Sequence, residues 1–221
     1  MISAKWLKTI DNKYNHLLVT EALIVILLPL LHTLEARFPI IPLLLLVALA
    51  PALNVVLPQR AFLILMALGV ITLALNILIS YQAVEFKRAA SLCLLILYSV
   101  FVLLAIIILL KRISSMKVVT ADTVKGGISV YILIGILWTM LYLMVANINP
   151  DSYANLRDKE LDCFYYSFTT LTTLGYGDIV PTTPYTKILA VLEAIVGPVY
   201  LAIFIAQLVG LRIVQKLDSK E

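Results

Sequence analysis

The sequence predicts an all-α integral membrane protein: six transmembrane helices, with a shorter helix re-entering the membrane between the last two. Three observations predict it. Hydrophobic residues make up 62% of the 221 residues and charged residues only 14%, and the mean hydropathy is +1.02. A soluble domain sits nearer roughly 45–50% apolar and about 25% charged. Six windows are apolar over the roughly 20 residues needed to cross a bilayer core. Between the fifth and sixth lies a segment too short to cross, 161–173, which runs straight into Gly175 and Gly177. Irregular backbone at membrane depth is tolerated only where it lines a watery path or is buried in protein.

The windows, in order, are 17–34, 38–57, 61–81, 89–110, 127–146 and 185–211. Basic residues precede the first, but Glu21, Pro29 and His32 interrupt it and no small-residue cleavage site follows. It is therefore expected to stay as a span rather than act as a signal peptide. Glu21, near its inner end, is expected to reach the interface. The break Pro58-Gln59-Arg60 is so short that the second and third spans are antiparallel neighbours. Residues 111–126 are the one long link. Ile113, Met116, Val118, Val119 and Val124 fit the apolar side of a helix lying on the membrane surface, and equally an ordinary loop. Gly126-Gly127 is expected to turn the chain into the fifth span.

Lys and Arg set the orientation. With the N-terminus inside, 11 fall on inner segments, Lys5, Lys8, Lys13, Lys117 and Lys220 among them, and 6 on outer ones, including Arg37. Both termini are expected in the cytoplasm and the carboxylates Asp151, Asp158, Glu160, Asp162 and Asp178 around an outer mouth. Cys93 and Cys163 are expected at different depths and unpaired. The net charge of +4 reflects membrane topology; no basic stripe with interleaved aromatics suggests nucleic acid as a partner. No P-loop, zinc spacing or hydrolase triad is present, and His16 and His32 are unlike a metal pair, so the chain is not expected to be an enzyme.

The densest information lies in Thr169-Thr170-Leu171-Thr172-Thr173-Leu174-Gly175-Tyr176-Gly177-Asp178. A dehydrated cation needs several oxygens at close range, and backbone carbonyls of a loop can supply them. Aiming successive carbonyls at one axis demands conformations that a Cβ resists, which suits Gly175 and Gly177. The run resembles the signature of tetrameric potassium channels, Thr-Val-Gly-Tyr-Gly, with Leu174 in place of Val. The resemblance covers roughly 127–211. It implies a voltage-gated-channel-like tetramer of four identical chains, since one loop cannot surround an ion, and a cell (plasma) membrane location. It implies a four-helix membrane domain over 1–110, a cytoplasmic linker over 111–126 and a pore domain over 127–221, made of outer helix, pore helix, filter and inner helix.

By the same resemblance, the carbonyls of Thr173, Leu174, Gly175 and Tyr176, with the Thr173 hydroxyl, bind potassium as the permeant ion, and Gly177 completes the filter; no other cofactor is implied. Tyr165 and Tyr166 match an aromatic pair that cuffs the filter, with Tyr176 packing sideways against them. Asp178 is a mouth carboxylate or a filter brace. Thr169 stands where many members keep an acid behind the filter, and Glu193, in the neighbouring helix, is expected to take over that bracing through the hydroxyls of Thr169, Thr170 or Tyr166. Gly197, 20 residues after Gly177, resembles the family's gating-hinge glycine, and Pro198 is expected to kink the helix. Leu201, Ile205 and Val209 share one stripe, expected either to close the pore by dewetting or to pack on lipid or the fifth span. The fourth span carries no charge to move in a field, so the first four helices look like a sensor scaffold without the sensor, suited to supporting the pore, contacting membrane lipid or docking a regulatory partner. The function implied is passive potassium-selective conduction; the alternatives are a weakly selective cation pore or a non-conducting subunit of another channel.

Overall fold

The computed structural model describes residues 14–33, 40–81, 87–116 and 118–218. Lys5, Lys8, Lys13, Arg37, Lys117 and Lys220, counted above for orientation, lie outside the described residues. Among the described residues, each apolar window is helical over nearly all its length. The elements are α1 (Asn15–Thr33), α2 (Ile40–Val56), α3 (Gln59–Tyr81), α4 (Lys87–Ser114) and α5 (Ala121–Ile148), then a 3-10 turn (Pro150–Ser152), β1 (Tyr153–Ala154), α6 (Lys159–Leu171), β2 (Val180–Pro181) and α7 (Pro184–Asp218). The chain is thus an almost wholly helical membrane protein. Among the described residues, four helices, α3, α4, α5 and α7, are long and apolar enough to cross a membrane, while α1 and α2 are described over 19 and 17 residues. At about 1.5 Å per residue those described lengths are just under a hydrocarbon core about 30 Å thick.

The link before α5 is tighter than the sequence window of 111–126. Helix α4 continues through Ser114, with Lys111 and Arg112 in its last turn, where a helix end favours cations. Helix α5 begins at Ala121 behind a reciprocal cap: Thr123 N–H donates to Thr120 Oγ1 at 3.2 Å, and Thr120 N–H to Thr123 Oγ1 at 3.3 Å. Only 115–120 connect the two helices, no surface helix forms there among the described residues, and Ile113 is buried. Gly126 and Gly127 do not turn the chain; both lie inside α5. A Cβ on Gly126 would stand 2.9 Å from the Tyr14 ring, and one on Gly127 only 1.9 Å from Phe204 Cζ. Lipid tails are as apolar as leucine, so helices in a membrane associate through close packing, and small residues permit it.

The leading helices are fastened to α5. Tyr14 N–H, at the start of α1, donates to Asp122 Oδ1 at 2.9 Å in the first turn of α5. At the other end the Arg88 guanidinium donates to the Asn147 carbonyl at 2.7 Å and to the Ile148 carbonyl, capping the last turn of α5. Leu49, Leu53, Phe101, Val102, Ala105 and Leu109 form the core between α2 and α4. Glu21 does not reach an interface: it is fully buried inside the bundle. Cys93 and Cys163 are unpaired.

Candidate functional site

Helix α6 points the loop. Asp158 caps its N-terminus, Oδ1 accepting from Glu160 N–H at 3.1 Å and Leu161 N–H at 3.2 Å, and Asp162 Oδ2 accepts from Arg157 N–H and Asp158 N–H at 2.6 and 2.9 Å. Glu160 and Asp162 also sit in the first turn, where negative charge suits the helix dipole. The helix ends at Leu171. Beyond it the loop hangs from two carbonyls: Thr173 N–H donates to Thr170 O at 3.0 Å, and Leu174 N–H and Gly175 N–H both donate to Thr169 O, at 2.9 and 3.0 Å. Thr169 supports the loop through its backbone, while its hydroxyl donates to Tyr166 O within the helix.

The loop has a regular alternation. Thr173, Gly175 and Gly177 have φ of 59°, 53° and 77°. Left-handed φ thus recurs at every second residue of the ribbon. Glycine takes this conformation freely; Thr173 does so at a cost of about 1–2 kcal/mol. A Cβ on Gly175 or Gly177 would meet nothing within 4 Å, so backbone conformation, rather than crowding within the chain, calls for glycine here. On the single chain the ribbon is open to its surroundings, Leu174 being 56% and Tyr176 68% exposed.

The C-terminal end of the ribbon is held from two directions. Tyr165 stacks on Tyr176, with ring centroids 6.3 Å apart and planes 3° from parallel, and its hydroxyl donates to Asp178 Oδ2 at 2.8 Å. Asn155 Nδ2 donates to the Asp178 carbonyl, also at 2.8 Å. Asn155 has φ 64°, a conformation asparagine tolerates better than most residues. Beside it β1 pairs antiparallel with β2, Tyr153 opposite Pro181 and Ala154 opposite Val180. Asp178 is therefore held at both its carboxylate and its carbonyl beside the end of the ribbon.

The expected aromatic pair divides. Tyr165 faces the ribbon, whereas Tyr166 is buried on the other side of α6, its ring 4.9 Å from Tyr142 and 5.5 Å from Tyr153. Burial also pushes the Tyr153 hydroxyl well above the usual phenol range. Glu193 lies behind α6 as expected, but not with the expected donors. Tyr142 Oη donates to its Oε2, and Ser167 Oγ lies 2.6 Å from its Oε1; the Thr169, Thr170 and Tyr166 hydroxyls do not bond it. Sequence reasoning does not find Asn155, Tyr142 or Ser167. Their only signal is a polar group inside or beside an apolar segment, and nothing local says where it points.

Helix α7 runs unbroken through Gly197 and Pro198. Gly197 serves packing, since a Cβ there would stand 2.1 Å from the Leu171 carbonyl oxygen, the end of α6. The same carbonyl accepts from Tyr131 Oη at 3.1 Å. Lower down, Phe204 is buried over Gly127, and Tyr200 Oη donates to Gly127 O at 2.7 Å. Leu201, Ile205 and Val209 are exposed on the single chain by 39%, 56% and 53%.

Residues 153–211 match a family model described as an ion channel. Two-pore potassium channel 5 of Arabidopsis thaliana is 34% identical over 76 residues, covering 34% of this chain and 19% of that protein. Two-pore potassium channel 4 of the same plant is 36% identical over 74 residues, 30% of this chain and 26% of that protein. The inward rectifier potassium channel Kirbac3.1 of Paramagnetospirillum magnetotacticum is 31% identical over 77 residues, 33% and 24% of the two chains. The matched stretch is thus about a fifth to a quarter of these relatives' length. No solved structure matches the chain. The relatives are channels, not enzymes.

Proposed function

We propose that this chain forms a potassium-selective pore that conducts passively, a reading supported by the match of residues 153–211 to an ion-channel family model and by its similarity over that stretch to potassium channels. Four copies surround one axis, with the ribbon of each chain facing inward. The carbonyls of Thr173, Leu174, Gly175 and Tyr176, with the Thr173 hydroxyl, replace the water shell of the ion. The observation that carries this reading is the left-handed φ at Thr173, Gly175 and Gly177, on a ribbon exposed at the surface of the single chain. One ribbon presents carbonyls to one side of an ion; a ring of four presents them all round. The C-terminal end of α6 lies beside the ribbon, where its dipole favours a cation.

In this reading α1 to α5 and α7 are six spans with both termini in the cytoplasm of the cell membrane. Helix α7 lines the inner path, and Leu201, Ile205 and Val209 close it. The basic residues of α4, Lys87, Arg88, Lys111 and Arg112, stand only at its ends, so no charge is placed to move through the field, and gating does not use a charged fourth helix. The deciding experiment is a reversal potential from the purified protein in liposomes under a potassium/sodium gradient. A shift close to the potassium equilibrium potential is expected; equal permeability to both ions would refute selectivity.

A further inference from the structure

Glu193 is fully buried where α5, α6 and α7 meet. Three short oxygen–oxygen approaches run through it. Tyr142 Oη meets Glu193 Oε2, Ser167 Oγ lies 2.6 Å from Glu193 Oε1, and the same Ser167 Oγ lies 2.8 Å from the Gly135 carbonyl oxygen. Each approach needs one hydrogen between its oxygens. The Tyr142 and Ser167 hydroxyls bring one each, and the carbonyl brings none. Two hydrogens cannot fill three gaps.

An ionised Glu193 leaves one gap empty. If Ser167 donates to it, two lone-pair oxygens of Ser167 and Gly135 face each other at 2.8 Å. That carbonyl already accepts the Thr139 hydroxyl at 2.9 Å, so the approach of Ser167 would gain nothing to offset the repulsion. The surroundings agree. The groups facing Glu193 are phenols, Tyr131 and Tyr142 from α5, Tyr166 from α6 and Tyr153 from β1, and no basic side chain among the described residues pairs with it. A charged carboxylate without a cation is costly at such a place.

We propose that Glu193 carries its own proton in the membrane-embedded protein. That proton is the middle link of a chain of donors running from Tyr142 to Glu193, from Glu193 to Ser167, and from Ser167 to the Gly135 carbonyl. The chain ties α6, which carries the ribbon, to the helices on both sides of it. Glu193 is thus a positioning residue: it never meets the permeant ion, and its neutral form supplies the missing hydrogen. This deepens the pore reading and depends on it only for the effect on selectivity.

The test uses full-length protein in liposomes. Infrared spectra of wild type minus Glu193→Gln should show the carbonyl-stretch band of a protonated carboxylic acid at neutral pH. Ser167→Ala, which removes the acceptor, should shift that band. If the difference spectrum carries only carboxylate bands, or if the acid band ignores Ser167→Ala, the proposal is overturned. Glu193→Gln can itself donate to Ser167 and accept from Tyr142, so it should keep the potassium/sodium permeability ratio. Glu193→Ala, losing two hydrogen bonds, should lower that ratio by about tenfold or more, and an Ala channel as selective as the Gln channel would also overturn the proposal. Should Gln not assemble, carbon-13 labelling of glutamate in wild type and Ser167→Ala reads the same band. A wild type that shows the acid band yet passes sodium as readily as potassium would refute the pore reading and leave the proton in place.

Discussion

Gly197→Ala separates a packing role from a hinge role. The new methyl carbon would stand 2.1 Å from the Leu171 carbonyl oxygen, and ordinary contact begins at 3.4 Å, so the two helices must part by about 1.3 Å. The obstacle is backbone at the end of α6, not a side chain that can swing away. That carbonyl is also pinned by Tyr131 Oη, so displacement in either direction breaks something. Overpacking of this kind costs about 1–3 kcal/mol per site, and in the proposed fourfold ring it would be incurred four times. The expected result is a clear loss of thermal stability of the assembled protein, measured by fluorescence-detected size exclusion after heating, together with reduced potassium selectivity, since α6 carries the ribbon. A glycine needed only for bending predicts something else: intact stability and selectivity, with altered opening alone. Wild-type melting and wild-type selectivity in Gly197→Ala would refute the packing argument.

Gly175→Ala or Gly177→Ala should abolish selective current in liposome flux assays, because each forces an alanine into left-handed φ at about 1 kcal/mol or more per chain; selective current surviving in both would count against the carbonyl ribbon as the ion path. Ile205→Asn should wet the stripe formed with Leu201 and Val209 and raise resting conductance severalfold. Cysteine labelling that finds these positions open to lipid reagents alone would remove them as the gate. With the conducting path blocked, no gating current should be traceable to α1 to α4; a charge movement mapped to these helices would contradict the uncharged middle of α4.

The parts of the fold legible in the sequence are those written locally. Helix positions follow from runs of apolar residues about as long as a bilayer is thick. The left-handed turns at Gly175 and Gly177 are legible because glycine alone takes that φ without cost. The partners are not legible. Ser167 and Glu193 are 26 residues apart, Tyr142 and Glu193 are 51, and Asn155 and Asp178 are 23. Each pairing depends on how helices rotate against one another, which an almost uniformly apolar sequence barely encodes. Gly126-Gly127 misleads for a related reason. In water a glycine pair usually breaks a helix, whereas between membrane helices it marks where another side chain comes close. Gly197 has the same double meaning, and Glu21 turns inward because the first helix is covered by its neighbours and not by headgroups.

Helix α5 is held at both ends by the helices that precede it, through Asp122 to Tyr14 and through the Asn147 and Ile148 carbonyls to Arg88. Only six residues, 115–120, separate it from α4. The leading bundle thus meets α5 at both of its ends. A sideways push on α1 would reach the first turn of α5 and one on α4 its last turn, so a push on both would arrive as a shift of the helix as a whole.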